Sequence, residues 1–282
     1  MPLYDPADLA SLATLAGSVA KDVGTRIRAM RAEGVEVANT KSSLVDVVTA
    51  ADREAERLVA EALRAARPQD GLLGEEGLSA PSESGITWVV DPIDGTVNYL
   101  YDLPAYAVSI AATVEDGQPG TMADGRRAIA GAVYVPAVDE LFTGFKGGGS
   151  RLNGLDLRVS EARDLALALV ATGFGYTSKR RTEQAEVVRQ LIPRVRDIRR
   201  MGAAAVDLCN LAAGRLDAYY ERGLAPWDYA VGALIAREAG AVTLGLADDT
   251  LPGEPMLVAG PPALAHDLRA EIQRAYATLP RG

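Results

Sequence analysis

Trp88-Val89-Val90-Asp91-Pro92-Ile93-Asp94-Gly95-Thr96-Val97-Asn98-Tyr99 is the stretch around which the rest of the chain is organised. Ile86 to Val90 is an apolar, β-branched run too short for a helix, and it reads as a buried strand that delivers Asp91 to its end. Pro92 and Gly95 then force a turn. The turn holds Asp91 and Asp94, followed by Gly95-Thr96, whose backbone N–H groups can open a helix and face an anion. Carboxylates for a cation beside open amides for a phosphate point to metal-assisted phosphoryl chemistry. Taken alone, the same residues also read as a plain turn with Asp94 as a helix N-cap. The rest of the chain must decide between the two.

At 282 residues the chain can bury a large core, as one domain or as two tightly packed halves. With 48% hydrophobic and 24% charged residues it has the composition of a globular protein. No apolar run approaches the roughly 18 residues of a membrane span, and Met1 to Ala10 is neither basic nor continuously apolar, so the expected location is the cytoplasm. One cysteine, Cys209, excludes an internal disulfide and a thiolate-rich zinc site, and is expected to pack in a helix. One histidine, His266, lies near the C-terminus in a polar helix and is expected at the surface. Any metal must therefore be held by oxygens, which selects hard cations such as magnesium.

The net charge of −9 argues against nucleic acid or an anionic membrane as partner. Lys179-Arg180-Arg181 and Arg194 to Arg200 are local exceptions. The first reads as a solvated loop or helix start, with a partner or substrate-rim site as the alternative. An acidic protein that handles phosphate must invert its local field, and bound divalent ions do that.

Along the chain, apolar residues at Leu9, Leu12, Ala16, Val19, Val23, Ile27 and Met30 mark one long amphipathic helix from Asp5 to Arg31, ended by Gly34. Glu36 to Ser43, with Lys41 inside it, reads as an exposed hairpin or loop, and Val45 to Val48 as the tail of a strand. A second helix starts at Thr49 and stops at Pro68. Asp52, three residues after Thr49, fits a capping box with Asp in place of Glu. Leu72-Leu73-Gly74-Glu75-Glu76-Gly77 places two adjacent carboxylates between glycines just before the strand that leads to Asp91.

After the central turn, Tyr106 to Val114, Ala128 to Val135, Asp139 to Phe145 and Leu155 to Val159 read as strands, the last after an Asn153-Gly154 turn. Consecutive strands without intervening helices indicate an antiparallel sheet. Glu115 to Arg127 reads as an exposed excursion, and Gly147-Gly148-Gly149-Ser150 is no phosphate loop, since no Gly-Lys-Ser/Thr follows. Beyond Ser160 strands and helices alternate: strand Leu167 to Thr172, helix around Thr182 to Arg194, strand near Ile198, helix Ala203 to Ala213 and strand Leu216 to Glu221. Helix Trp227 to Ala239, strands Ala241 to Gly245 and Met256 to Ala259, and a last helix complete an α/β second half. The expected organisation is one catalytic unit with an α+β half at 1–159, an α/β half at 160–282 and a site in the cleft between them. Asp228, in Ala225-Pro226-Trp227-Asp228, opens a helix, where an acid complements the dipole.

Four separate segments now fall into one pattern: Val45-Asp46-Val47-Val48-Thr49-Ala50-Ala51-Asp52, Gly74-Glu75-Glu76, Asp91-Pro92-Ile93-Asp94-Gly95-Thr96-Val97-Asn98-Tyr99, and Trp227-Asp228-Tyr229-Ala230-Val231-Gly232. In type, order and separation they resemble the inositol monophosphatase family, within the lithium-sensitive, magnesium-dependent phosphatases. The resemblance implies a five-layered αβαβα sandwich, usually a homodimer. It implies one magnesium on Glu75, Asp91 and the carbonyl of Ile93, a second on Asp91, Asp94 and Asp228, and a third, weaker ion near Glu75. Gathered without cations, such carboxylates would repel by about 4 kcal/mol per pair at roughly 4 Å under an effective dielectric of about 20. They must then bind metal or protonate.

In the family pattern Glu75, with Thr96 backed by Asp52, orients the attacking water, and the amides of Gly95 and Thr96 receive the phosphate. No protein nucleophile is evident, since there is neither a Gly-x-Ser-x-Gly elbow nor a Cys/His pair. Glu221 matches the residue that bonds a ring hydroxyl, Gly202-Ala203-Ala204 matches the segment lining the alcohol side, and Asp94 and Asp228 face the substrate as well as the metal. Ile93 favours the inositol branch over relatives acting on fructose or adenosine bisphosphates, while Val97 and Tyr99 depart from the commoner Thr and Phe. The implied activity is hydrolysis of inositol 1-phosphate or a similar small sugar phosphate. Histidinol phosphate is the rival substrate, and a binding role toward the transcription machinery, known for some bacterial relatives, is the alternative class.

Overall fold

A computed structural model describes residues 4–34, 37–40, 47–115, 121–253 and 255–279. Lys41, Val45 and Asp46, singled out above, lie outside the described residues. Helix α1 (Pro6–Glu33) is capped by Asp5, whose carboxylate accepts from Ala7 N–H at 2.9 Å. Strands β1 (Val37–Thr40) and β2 (Val47–Thr49) pair antiparallel, and β2 runs straight into α2 (Ala50–Ala66). Next come β3 (Gly71–Gly74), β4 (Ser79–Ala80), β5 (Ile86–Asp94) and the short α3 (Thr96–Leu100). Then β6 (Ala107–Val114), β7 (Arg127–Val135), β8 (Glu140–Phe145), β9 (Ser150–Leu152) and β10 (Leu155–Asp156) follow as a meander. The two central residues of its last hairpin, Asn153 and Gly154, have φ of 47° and 84°, the conformation a tight primed turn requires.

These strands form one eight-stranded sheet in the order β10-β9-β8-β7-β6-β5-β3-β4. Its central strands β5, β6 and β7 are buried along nearly their whole length because both faces are covered. In β5, Trp88 and Val90 point to the side of α1 and α2, whereas Val89 points the other way. The second half supplies β11 (Leu169–Thr172), α4 (Ser178–Leu191), β12 (Asp197–Arg199), α5 (Ala204–Ala212), β13 (Ala218–Arg222), α6 (Pro226–Glu238), β14 (Val242–Leu244), β15 (Met256–Gly260) and α7 (Pro262–Ala277). Its five strands order as β12-β11-β13-β15-β14.

Three apolar clusters show the stacking. α1 and α2 pack on the outer face of the first sheet. α5 and α6 fill the space between its inner face and the second sheet, meeting Val89 and Ala111 on one side and Tyr219 and Leu257 on the other. α4 and α7 cover the outer face of the second sheet through Val187, Leu191, Leu264 and Leu268. The result is the αβαβα sandwich. The middle cluster draws residues from both sides of position 160, so the halves share a core. Cys209 is buried on α5, His266 is exposed on α7, and among the described residues no helix is long and apolar enough to cross a membrane.

Several local expectations need correction. Gly71 to Gly74 is a strand, and it pairs parallel with β5, because the intervening β4 turns the chain twice. The second sheet is mixed: β12, β11 and β13 are parallel, but β15 runs antiparallel to β13 and to β14. α4 begins at Ser178, four residues earlier than Thr182, because the Thr177 hydroxyl accepts from Arg180 N–H. It ends at Leu191, since Pro193 lacks the N–H to continue it. The strand after Asn153-Gly154 stops at Asp156, and Leu167 closes a 3₁₀ turn ahead of β11.

Candidate active site

At the end of β5 the pairing with β6 slips: Asp91 lies opposite Ser109 but Asp94 lies opposite Ala107, so three steps on one strand match two on the other. Pro92, which cannot donate to the ladder, sits in this bulge. Asp91 Oδ1 accepts from Ile93 N–H at 3.1 Å, which turns the chain and aims Asp91, the Ile93 carbonyl and Asp94 toward one side. Gly95 follows with φ of 89°, and a Cβ there would stand 2.8 Å from the Ala105 carbonyl, so only glycine lets α3 start here.

Parallel pairing of β3 with β5 brings Glu75 alongside, its N–H donating to Val90 O at 3.2 Å. Asp228 arrives from α6, where its Oδ2 accepts from Ala225 N–H at 2.7 Å. Glu75, Asp91, Ile93, Asp94, Gly95, Thr96, Gly202, Ala203, Ala204, Glu221 and Asp228 all line one cavity of about 410 Å³ between the two sheets. Asp52 stands behind it, next to Thr96.

The electrostatics are those of crowded acids. Burial first, then the charges of Glu75, Asp94 and Asp228, push the Asp91 carboxyl well above its ordinary value, and Asp91 and Glu75 come close enough to share a hydrogen bond. Asp228 is raised in the same way by burial, Glu75 and Asp94. Asp94 rises to about 7, mainly through burial, although its oxygens accept from Ala204 and Ala205 N–H at 3.2 and 2.7 Å. Those bonds cap α5, which has no capping side chain of its own because its N-cap is Ala203. Among the described residues no three acidic, cysteine or histidine side chains stand as a ready-made cage for an ion. The donor set is nevertheless all oxygen and anionic, and burial destabilises its charge, so a hard cation fits its chemistry.

Asp52 combines both roles open to it from sequence. Oδ2 accepts from the Thr49 N–H at 2.7 Å and the Thr49 hydroxyl at 2.5 Å, fixing the start of α2. Oδ1 accepts from the Thr96 hydroxyl at 3.0 Å. The Thr96 hydroxyl also lies 3.1 Å from the Ile93 carbonyl but has one proton, and the carboxylate is the stronger acceptor. Burial raises Asp52 to about 6, against the bonds from Thr49 and Thr96 that favour its ionised form.

Elsewhere on the cavity wall, Glu221 Oε2 accepts from the Tyr219 hydroxyl at 2.7 Å; burial raises its carboxyl, and that bond and Arg200 draw it down. Sequence reasoning missed Glu56 altogether. This buried acid on α2 accepts from Glu76 and Leu78 N–H at 2.8 and 3.2 Å and ties down the loop that carries Glu75. Its position on the inward face of α2 was the available signal. Arg180 and Arg200 also line the cavity, and only the first basic run had been read as a rim site.

The profile of the inositol monophosphatase family matches residues 8–278. The chain belongs to the inositol monophosphatase family. It is 41% identical to the inositol-1-monophosphatase of Mycobacterium bovis, covering 97% of this chain and 96% of that one. It is 40% identical to the Escherichia coli protein named Nus factor SuhB over 76% of each. Among solved structures, Bartonella henselae SuhB superposes with a TM-score of 0.82 at 32% identity, covering 93% of this chain and 98% of the other. Mycobacterium tuberculosis SuhB does so at 0.78 and 42%, covering 95% and 97%. Inositol monophosphatase family membership supports a phosphatase and accounts for the sandwich.

Proposed function

We propose that the protein is a magnesium-dependent phosphatase that hydrolyses inositol 1-phosphate to inositol and phosphate by attack of water. The observation that carries this reading is the convergence of Glu75, Asp91, Asp94, Asp228 and the Ile93 carbonyl on one cavity, with the carboxyls of Asp91, Asp94 and Asp228 held far from their ordinary titration. Two or three magnesium ions per subunit, on the ligands assigned above, would relieve that repulsion. When bound, the ions polarise the phosphate and make water acidic enough to attack near neutral pH.

The chain's own residues do the rest. Glu75 and the Thr96 hydroxyl orient the water, and Asp52 fixes Thr96 by accepting a hydrogen bond from its hydroxyl. The Gly95 and Thr96 amides receive the phosphate. Glu221, held by Tyr219, accepts from a ring hydroxyl, while Gly202, Ala203 and Ala204 leave room for the alcohol. Inversion at phosphorus without a phosphoenzyme follows. The protein works in the cytoplasm as a homodimer in this reading.

A phosphate-release screen over inositol, histidinol, fructose and adenosine phosphates, with and without magnesium, tests it. Magnesium-dependent release that is fastest from inositol 1-phosphate is expected; release independent of divalent ions overturns the mechanism. The name Nus factor on a relative favours one second reading, a binding role in transcription. A metal-site variant that restores every phenotype of a deletion would select it.

A further inference from the structure

We infer that Gln184, which stands outside the cavity wall, is a positioning residue for Glu221: it clips the loop between β11 and α4 against the Glu221 carboxylate and so sets a preference for polyol phosphates over plain alcohol phosphates. This rests on the phosphatase reading and on its assignment of Glu221 to a ring hydroxyl. Gln184 is 6% exposed and is the one polar residue among the three that α4 buries, the others being Val187 and Leu191. A buried amide must satisfy both of its ends. Oε1 accepts from Gly175 N–H at 2.9 Å and Nε2 donates to Gly173 O at 3.3 Å, so donor and acceptor each meet their complement and the amide has a single orientation.

The clipped segment is the one that touches Glu221. β11 and β13 are parallel with Thr172 opposite Tyr220, so the residues that follow, Gly173 and Glu221, meet at the ends of neighbouring strands on the cavity wall. A Cβ on Gly173 would stand 1.9 Å from Glu221 Oε2 and 2.1 Å from its Cδ, so the carboxylate lies directly on the bare Cα. Tyr219, on the same face of β13, fixes one of the carboxylate oxygens through its hydroxyl. The strand thus supplies one stop for the carboxylate and the loop supplies the second. Glycine at 173 and 175 gives that loop little stiffness of its own, and side chains of α4 provide it: besides the Gln184 clip, Arg181 Nε donates to Gly175 O at 2.8 Å. A carboxylate held between two stops meets a substrate hydroxyl without first losing rotamer freedom. With the loop released, that contact weakens, while the phosphate end on Asp91, Asp94 and Thr96 keeps its own supports.

The test compares inositol 1-phosphate with phenyl phosphate, whose alcohol carries no further hydroxyl, in the magnesium-loaded enzyme. Gln184→Leu, close in size, removes both clip bonds. KM for inositol 1-phosphate is expected to rise roughly tenfold, the order of one hydrogen bond to a charged group, with kcat nearly unchanged and both constants for phenyl phosphate kept. Gly173→Ala, which leaves the clip in place but puts a methyl where the carboxylate rests, should give the same split. On a Glu221→Ala background, where KM is already raised, Gln184→Leu should add nothing. A loss shared equally by both substrates, a loss in kcat alone, or a full Gln184→Leu effect that persists without Glu221 overturns the inference, because the glutamine would then brace the fold in general. Phosphate release from neither compound by the wild type would sink the phosphatase reading. Titration calorimetry with inositol 1-phosphate then decides the clip, which stands where Gln184→Leu weakens binding only in the presence of Glu221 and falls otherwise.

Discussion

Asp94→Asn exposes the balance on which the site is built. Asp94 is 7% exposed and its carboxyl is raised from 3.8 to about 7. A folded-state pKa above the unfolded one means that the native state holds the proton longer. The stability linked to that proton is complete below about pH 4 and is lost as pH rises through 7. At about 1.4 kcal/mol per unit, the ionised form costs up to about 4 kcal/mol at pH 8 in protein stripped of divalent ions. Asparagine removes that cost. Its single amide oxygen still accepts from one of the two N–H groups of α5, so the lost cap costs about 1 kcal/mol.

The stripped variant should therefore be more stable than wild type by about 3 kcal/mol at pH 8, a melting shift of roughly 6–12 °C for a chain of this size, and nearly equal at pH 4. Magnesium should raise the wild-type melting temperature and leave the variant nearly unmoved, and turnover should fall by roughly a hundredfold or more. Calorimetric melts at both pH values in chelator, then in magnesium, read every part. A variant that melts below wild type at pH 8 in chelator would refute the reasoning, because the acid would then be stabilising as an anion.

Thr96→Val should lower kcat about a hundredfold with little change in KM, since it removes the hydroxyl that faces Asp52 and that the proposed mechanism uses to orient the water; steady-state kinetics decide. Glu56→Ala frees the Glu76 and Leu78 amides and loosens the Glu75 loop, so magnesium affinity should drop about tenfold, measured by titration calorimetry. Asp207→Asn addresses a carboxylate on α5 that is 1% exposed and has no hydrogen-bond partner for either oxygen; the Met201 amide approaches without reaching bonding geometry. Burial raises that carboxyl well above 3.8, so its stabilising proton is lost as pH rises, and the variant should melt higher than wild type at pH 8 but not at pH 4.

Most of the architecture was legible because its signals are local. The three- and four-residue spacing from Leu9 to Met30 is α1, and the apolar runs from Tyr106 to Phe145 are the meander. β3 escaped because four residues bounded by glycine carry too little periodicity to read. Its parallel partner lies across a second short strand. Alternation was invisible within β5 for a different reason: with helices on both faces, inward and outward residues are equally apolar. At the site, Asp52 and Asp94 read locally as helix caps and Asp228 as a first-turn acid that complements a helix dipole, and each does bond helix-terminal N–H groups. The cap of Asp94 belongs to α5, more than a hundred residues away, which no local pattern reveals. Glu56 looked like any helix acid, and Arg200 like the end of a basic run.

The sequence by itself determined the inventory: oxygen ligands and no nitrogen or sulfur alternative, the turn after β5, the helix starts, and the ordered motifs that resemble the inositol monophosphatases. These follow from side-chain chemistry and from φ/ψ preferences that act over a few residues. Only the tertiary structure decided that Glu75, Asp91, Asp94 and Asp228 share one cavity, that Glu56 braces the loop beside them, and that two arginines line the same cavity. Proximity between distant segments and the loss of water around a charge are properties of the packed chain, and they are what turn ordinary acids into groups held far from their ordinary titration.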